Sequence, residues 1–169
     1  GNGNNGAAQD VDATNTIAYA TSSLANLNQA ISFDGVNDYV DMGDPSSVDF
    51  GAGDFTLEAW VKLGSLTQAG QETIITKDAV ASTAQRQFFL MVDGPNDNLH
   101  RIRVSYFIND TTQVYADTNV TAISDTNWHH IAGVRSGNSF LIYVDGSAVA
   151  DTENGTHGVM QPTATPLKL

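Results

Sequence analysis

The feature that most constrains this chain is a two-residue apolar period, repeated in short runs that turn residues cut apart. In FTLEAWVKL, residues 55–63, Phe55, Leu57, Ala59, Val61 and Leu63 fall on one face, and Thr56, Glu58, Trp60 and Lys62 on the other. ETIITK and QFFLMV follow, then a DGPNDN loop, then LHRIRVSYFI with Ile102, Val104, Tyr106 and Ile108 on one side. WHHIAGV, SFLIYV and PLKL complete the series. VDGS at 144–147 places Asp-Gly between two apolar runs, the strongest short hairpin signal, and RSGNS at 135–139 reads as a second hairpin. Many short strands without a long helix predict an all-β fold, a two-sheet antiparallel sandwich.

Composition bounds what such a sandwich can do. At 169 residues the chain has the size of one ordinary domain and can bury a core without disulfides, which suits its lack of cysteine. Seven Lys and Arg against nineteen Asp and Glu give a net charge of -12, which argues against a nucleic-acid or anionic-membrane partner. Of those acids only Glu58, Glu72 and Glu153 are glutamate, so the charge sits mostly in turn-forming aspartates. No apolar run reaches the length that spans a bilayer, so membrane insertion is not expected. The start at Gly rather than Met is consistent with a removed leader or a longer precursor, and with export.

The first 29 residues differ from the rest. GNGNNG reads as a flexible tract, Thr16 to Thr21 as one strand, and SSLANLNQ as weakly helical. The expected division is an N-terminal extension or strand-donating arm over 1–29 and a sandwich domain over 30–169.

AISFDGVNDYVDMGD, DFTLEAWVKL, ETIITK, TNWHHIAGVRSGNSFLIYVDG and PLKL resemble, in order and spacing, the blocks of laminin-G-like, concanavalin A-like jelly-roll domains, closest to their bacterial and viral branch. The resemblance covers roughly Ala30 to Leu169. It implies a jelly roll used as a carbohydrate-binding or adhesion module in secreted or surface proteins, often with bound calcium. Relatives continue past a PLKL-like strand into a final strand beside the one that opens the domain, and nothing here matches it. The resemblance therefore implies a sandwich lacking that strand, whose place Thr16 to Thr21 could take in its own domain or in a neighbouring copy.

Three clusters are candidate sites. In FDGVNDYVDMGD, residues 33–44, inward-pointing Ile31 and Phe33, with Val40 and Met42 resuming core packing, would leave Asp34, Asn37, Asp38, Asp41 and Asp44 at the rim. Calcium takes six to eight oxygen ligands of this kind, and Asp34, Asn37, Asp38 and Asp44 are the expected metal ligands. The same residues serve equally as turn residues bonding their own backbone. Aromatic rings flanked by amides and carboxylates suit sugar recognition, and Tyr106, Phe107 and Tyr115 near Asn109, Asp110 and Gln113 form such a cluster on a hairpin tipped by NDTTQ. From it Tyr106, Asn109, Asp110 and Tyr115 are the expected ligand contacts, with ordinary strand packing as the alternative.

The third cluster, WHH at 128–130, puts adjacent histidines on opposite strand faces, so they do not ligate one ion together. His130 shares a face with Trp128, Ala132 and Val134 and reads as a half-buried, hydrogen-bonded residue. Glycosidases need two carboxylates across the sugar, and Glu58 stands alone on its strand, so no enzyme is expected. The expected function is a non-catalytic extracellular carbohydrate-binding or adhesion module, associated with calcium, at a cell or virion surface. Its partners would be a surface glycan and, through strand donation, copies of itself. The alternative is a structural or assembly protein of a surface layer, filament or virion.

Overall fold

The computed structural model describes residues 7–9, 16–18, 29–35, 37–67, 70–78, 85–93 and 100–169. Its strands are β1 (Ala7–Gln9), β2 (Thr16–Ala18), β3 (Gln29–Ile31), β4 (Tyr39–Asp41), β5 (Phe55–Val61), β6 (Gln71–Asp78), β7 (Arg86–Asp93), β8 (Arg101–Asn109), β9 (Thr112–Thr118), β10 (His129–Ser136), β11 (Ser139–Val144), β12 (Ser147–Val149) and β13 (Asp151–Asn154). A single 3₁₀ turn, Ser46–Val48, is the one helical element among the described residues.

Two antiparallel sheets face each other. One has the order β12-β11-β10-β5 and the other β13-β9-β8-β7-β6. Both expected hairpins form. β11 and β12 are joined by Asp145 and Gly146, with φ of 50° and 78°, the paired positive angles that make Asp-Gly the preferred sequence for a two-residue turn. β10 and β11 close through Ser136↔Ser139, with Gly137 at φ 61° between them.

The core lies between the sheets where the alternation places it. Phe55, Leu57 and Val61 of β5, Ile131 of β10 and Phe140 and Ile142 of β11 pack against Phe88, Leu90 and Val92 of β7, Ile102, Val104 and Tyr106 of β8 and Val114 of β9. The rings mesh: Phe55 meets Phe88 at 6.3 Å, and meets Tyr106 edge-on at 6.2 Å. Gly133 of β10 lets the sheets approach closely, since a Cβ there would stand 2.6 Å from Val104 Cβ.

PLKL joins the larger sheet, as expected of a strand. Lys168 bridges Asp41 on one side and Thr76 on the other. Thr76 donates its N–H to the Lys168 carbonyl at 2.9 Å and accepts the Lys168 N–H at 2.8 Å, while Val40 and Leu169 exchange both bonds at 2.9 and 3.1 Å. The last residues thus tie β4 to β6, and β1 pairs with the far side of β4 through Ala7↔Asp41, Ala8↔Val40 and Gln9↔Tyr39.

The N-terminal strand prediction is met over Thr16–Ala18, where β2 pairs antiparallel with β3 of the same chain through Thr16↔Ile31 and Ala18↔Gln29. The GNGNNG tract, residues 19–28 with the weakly helical stretch, and the body of the DGPNDN loop lie outside the described residues. Two orientations differ from expectation. Ile31 and Phe33 are 43% and 41% exposed, because β3 pairs with β2 in a separate two-stranded ladder and not inside the sandwich, whereas Val40 is buried.

Candidate functional site

The acidic turn that precedes β4 is held together internally. Asp38 Oδ2 accepts the Asp34 N–H at 2.8 Å, Asp34 Oδ1 accepts the Asn37 N–H at 3.4 Å, and Asp41 Oδ1 accepts the Gly43 N–H at 2.8 Å. These are the side-chain-to-backbone bonds that make Asp and Asn turn residues. Asp44 is engaged elsewhere. Its Oδ1 lies 2.9 Å from Lys77 Nζ, whose side chain is wholly buried and also reaches Asp49 Oδ1 at 2.6 Å and the Thr163 carbonyl at 3.2 Å.

Burial acts to raise the Asp49 pKa, but the hydrogen bonds from Lys77 and Gln87, with the Lys77 charge, outweigh it and hold the carboxyl below its ordinary value. Among the described residues, no three His, Cys, Asp or Glu side chains gather as a metal site. The expected four-residue calcium set therefore does not fit as one cage: three members build a turn, and the fourth neutralises a buried ammonium.

The β8–β9 cluster is divided between the two faces of its sheet, which corrects the expected quartet of ligand contacts. Tyr106 is fully buried in the core, where its hydroxyl donates to the Gly158 carbonyl at 3.3 Å, accepts the Gly158 N–H at 3.1 Å and lies 3.1 Å from His157 Nδ1. The Arg135 guanidinium covers its ring at 4.5 Å. Tyr115 stands on the opposite face, opposite Ser105, with Arg103 4.7 Å from its ring centroid. Asn109 and Asp110 perform structural tasks at the tip. Asn109 Oδ1 accepts the N–H groups of Thr111 and Thr112 at 3.0 and 2.9 Å, and Asp110 Oδ1 accepts the Gln85 N–H at 2.8 Å and Gln161 Nε2–H at 2.9 Å. Period two explains the split, since Tyr106 and Tyr115 belong to positions of opposite parity in the paired strands.

The histidines of WHH separate as expected. His129 is clamped between carboxylates, with Nδ1 2.8 Å from Asp145 Oδ2 and Nε2 3.1 Å from Asp125 Oδ1. The Asp145 bond, with the weaker help of Asp125, raises its pKa above the ordinary imidazole value against the opposing effect of burial. His130 points outward from the smaller sheet, where it joins residues that lie outside all three sequence clusters.

Trp60 is directly opposite His130 in the β5–β10 ladder, with ring centroids 5.4 Å apart and planes tilted by 56°. The next row pairs Glu58 with Ala132 and Ala132 with Tyr143. Trp60 is 66% exposed, and Glu58 Oε2 lies 3.5 Å from His130 Nε2. The partner of Glu58 is thus the cross-strand histidine. A row later, Leu141 opposite Val134 is 42% exposed. An exposed tryptophan with a nearby imidazole, a phenol and one carboxylate forms an aromatic and polar strip on an otherwise ordinary sheet. The signal was present in FTLEAWVKL, where alternation sends the largest aromatic side chain outward.

Two facing antiparallel sheets around one apolar core, with this strip on an outer face, define a concanavalin A-like β-sandwich. A laminin G family model, described as the Concanavalin A-like lectin/glucanases superfamily, matches residues 34–169, and the chain belongs to that family. A search of curated proteins found no match.

Proposed function

We propose that this chain is a non-catalytic carbohydrate-binding or adhesion module that works outside the cell or on a virion surface. The observation that carries the reading is the Trp60 ring, two-thirds open to solvent beside His130. Burying a ring of this size against the C–H face of a sugar returns the hydrophobic contribution that its exposure forgoes, and Glu58 and His130 stand ready to bond hydroxyl groups. Membership of a lectin-type family supports the same reading. Catalysis is not part of the proposal. Glu58 is the sole carboxylate among the described residues projecting from β5, β10 and β11 on this face, and glycoside hydrolysis uses two.

A glycan array supplemented with insoluble polysaccharides tests the proposal. Retention on at least one glycan without release of reducing sugar is expected. Silence across the whole panel would remove the reading, and sustained turnover of a polysaccharide would replace it with an enzymatic one.

A further inference from the structure

Resting on that reading, we propose a ligand class for the strip: the flat face of an extended, uncharged polysaccharide with equatorial hydroxyls, to the exclusion of sulfated and carboxylated glycans. Shape is the first reason. Trp60 and Tyr143 are separated by β10 and by one row on the same face, which puts their backbones about 12 Å apart on the diagonal. Between them stands Ala132, only 5% exposed beneath its neighbours. A platform of this length meets successive rings of one polymer chain, each offering its C–H face to an aromatic ring. A sugar with an axial hydroxyl has only its opposite face free for stacking, whereas a polymer of equatorial sugars offers C–H groups on both faces and meets the rings in either orientation.

Charge is the second reason. Anionic sugars are gripped by arginine forks and lysines, and this chain has seven such residues in all. Five are already committed. Lys77 is buried against Asp44 and Asp49, Arg86 pairs with Asp78, and Arg103 with Asp93 and Asp117. Arg135 donates to the carbonyls of Gly51, Gly137 and Gly158, and Lys168 lies over Tyr39. The strip carries Glu58 and also the exposed Lys62, which follows β5 on the face of Trp60, so its local charge is balanced, and it is the net charge of -12 over the whole chain that opposes an anionic polymer. The same repulsion disfavours a second copy of the chain as the occupant.

Depletion onto microcrystalline cellulose and chitin, with heparin-agarose as the anionic counterpart, tests the proposal. The wild-type chain is expected to partition onto one of the neutral polymers, to stay bound as salt is raised, and to pass through heparin. Trp60→Ala and Tyr143→Ala are expected to lower that partition about tenfold for the tryptophan and less for the tyrosine. Trp60 is exposed, so an unchanged melting temperature checks that its variant is folded. Neutral-polymer binding that survives both substitutions, or a preference for heparin, overturns the ligand class. If the array reports glycans whose binding ignores Trp60, the ligand class falls while the carbohydrate-binding reading stands. If nothing binds anywhere, both fall.

Discussion

At the scale of single residues, polar side chains here are mostly occupied in holding turns. His129 shows the consequence for stability. Its pKa is raised in the folded chain, chiefly by Asp145, so the protonated imidazole favours folding. That contribution is complete below the ordinary value of 6.5 and is lost as pH rises through the raised folded value. Asp145 shifts the other way, lowered first by its bond to His129 and then by the His130 N–H, so its contribution is present above the ordinary carboxylate range and lost as pH falls through the lowered value. Urea midpoints measured from neutral to mildly alkaline pH are expected to decline, and His129→Gln is expected to flatten that limb. An unaltered slope in the variant would assign the pH dependence to another group.

The acidic turn yields a second expectation at this scale. With Asp34 and Asp38 bonding backbone N–H groups and Asp44 on Lys77, melting temperatures in calcium and in chelator are expected to coincide. A calcium-dependent rise that disappears in Asp34→Ala would restore the cage, since a ligand bound only by the folded state must stabilise it by mass action.

At the scale of elements, the tightest constraint is the crossing of β10 over β8. Gly133→Ala would place its methyl group 2.6 and 2.7 Å from Val104 Cβ and Cγ2, a contact that needs the sheets to part. Overpacking of this kind costs about 1–3 kcal/mol. A lowered denaturation midpoint that is partly restored in the Gly133→Ala, Val104→Ala pair is the expected result, and strict additivity would deny that the two residues meet.

The strands on either side of this crossing were legible in sequence, because a half-buried strand must alternate and a two-residue hairpin must accept positive φ. Positions whose role depends on a partner far along the chain were not. Lys77 looks like a surface residue until Asp49 and the Thr163 carbonyl are brought to it, and Tyr106 looks like a sugar platform until its parity places it under Arg135. Trp60 was legible as outward-facing, but its significance needed His130 and Tyr143, which arrive 70 and 83 residues later. β1 had no local signal, since Ala-Ala-Gln has neither alternation nor β-branched residues, and its pairing is dictated by β4.

At the scale of the whole molecule, the question is what closes the sheet edges. The larger sheet continues beyond β6 through residues 167–169 to β4, and beyond β4 to β1, while β2 covers β3. Two short N-terminal segments thus hydrogen-bond to edges that would otherwise present unpaired N–H and C=O groups. Exposed edges of this sort recruit strands from other molecules. A chain beginning at Asn28 lacks both β1 and β2 and leaves β3 and β4 uncovered. Light scattering is expected to report a single copy for the full sequence and concentration-dependent association for the shortened one, with a lower melting temperature. The reverse pattern, in which the full sequence forms multimers that fall apart on truncation, would mean that the same segments are exchanged between copies and would favour an assembly role. Identical monomers with identical melting temperatures would show that the N-terminal pairings contribute nothing to closure, and the edges of β3 and β4 would then have to be tolerated in water as they stand.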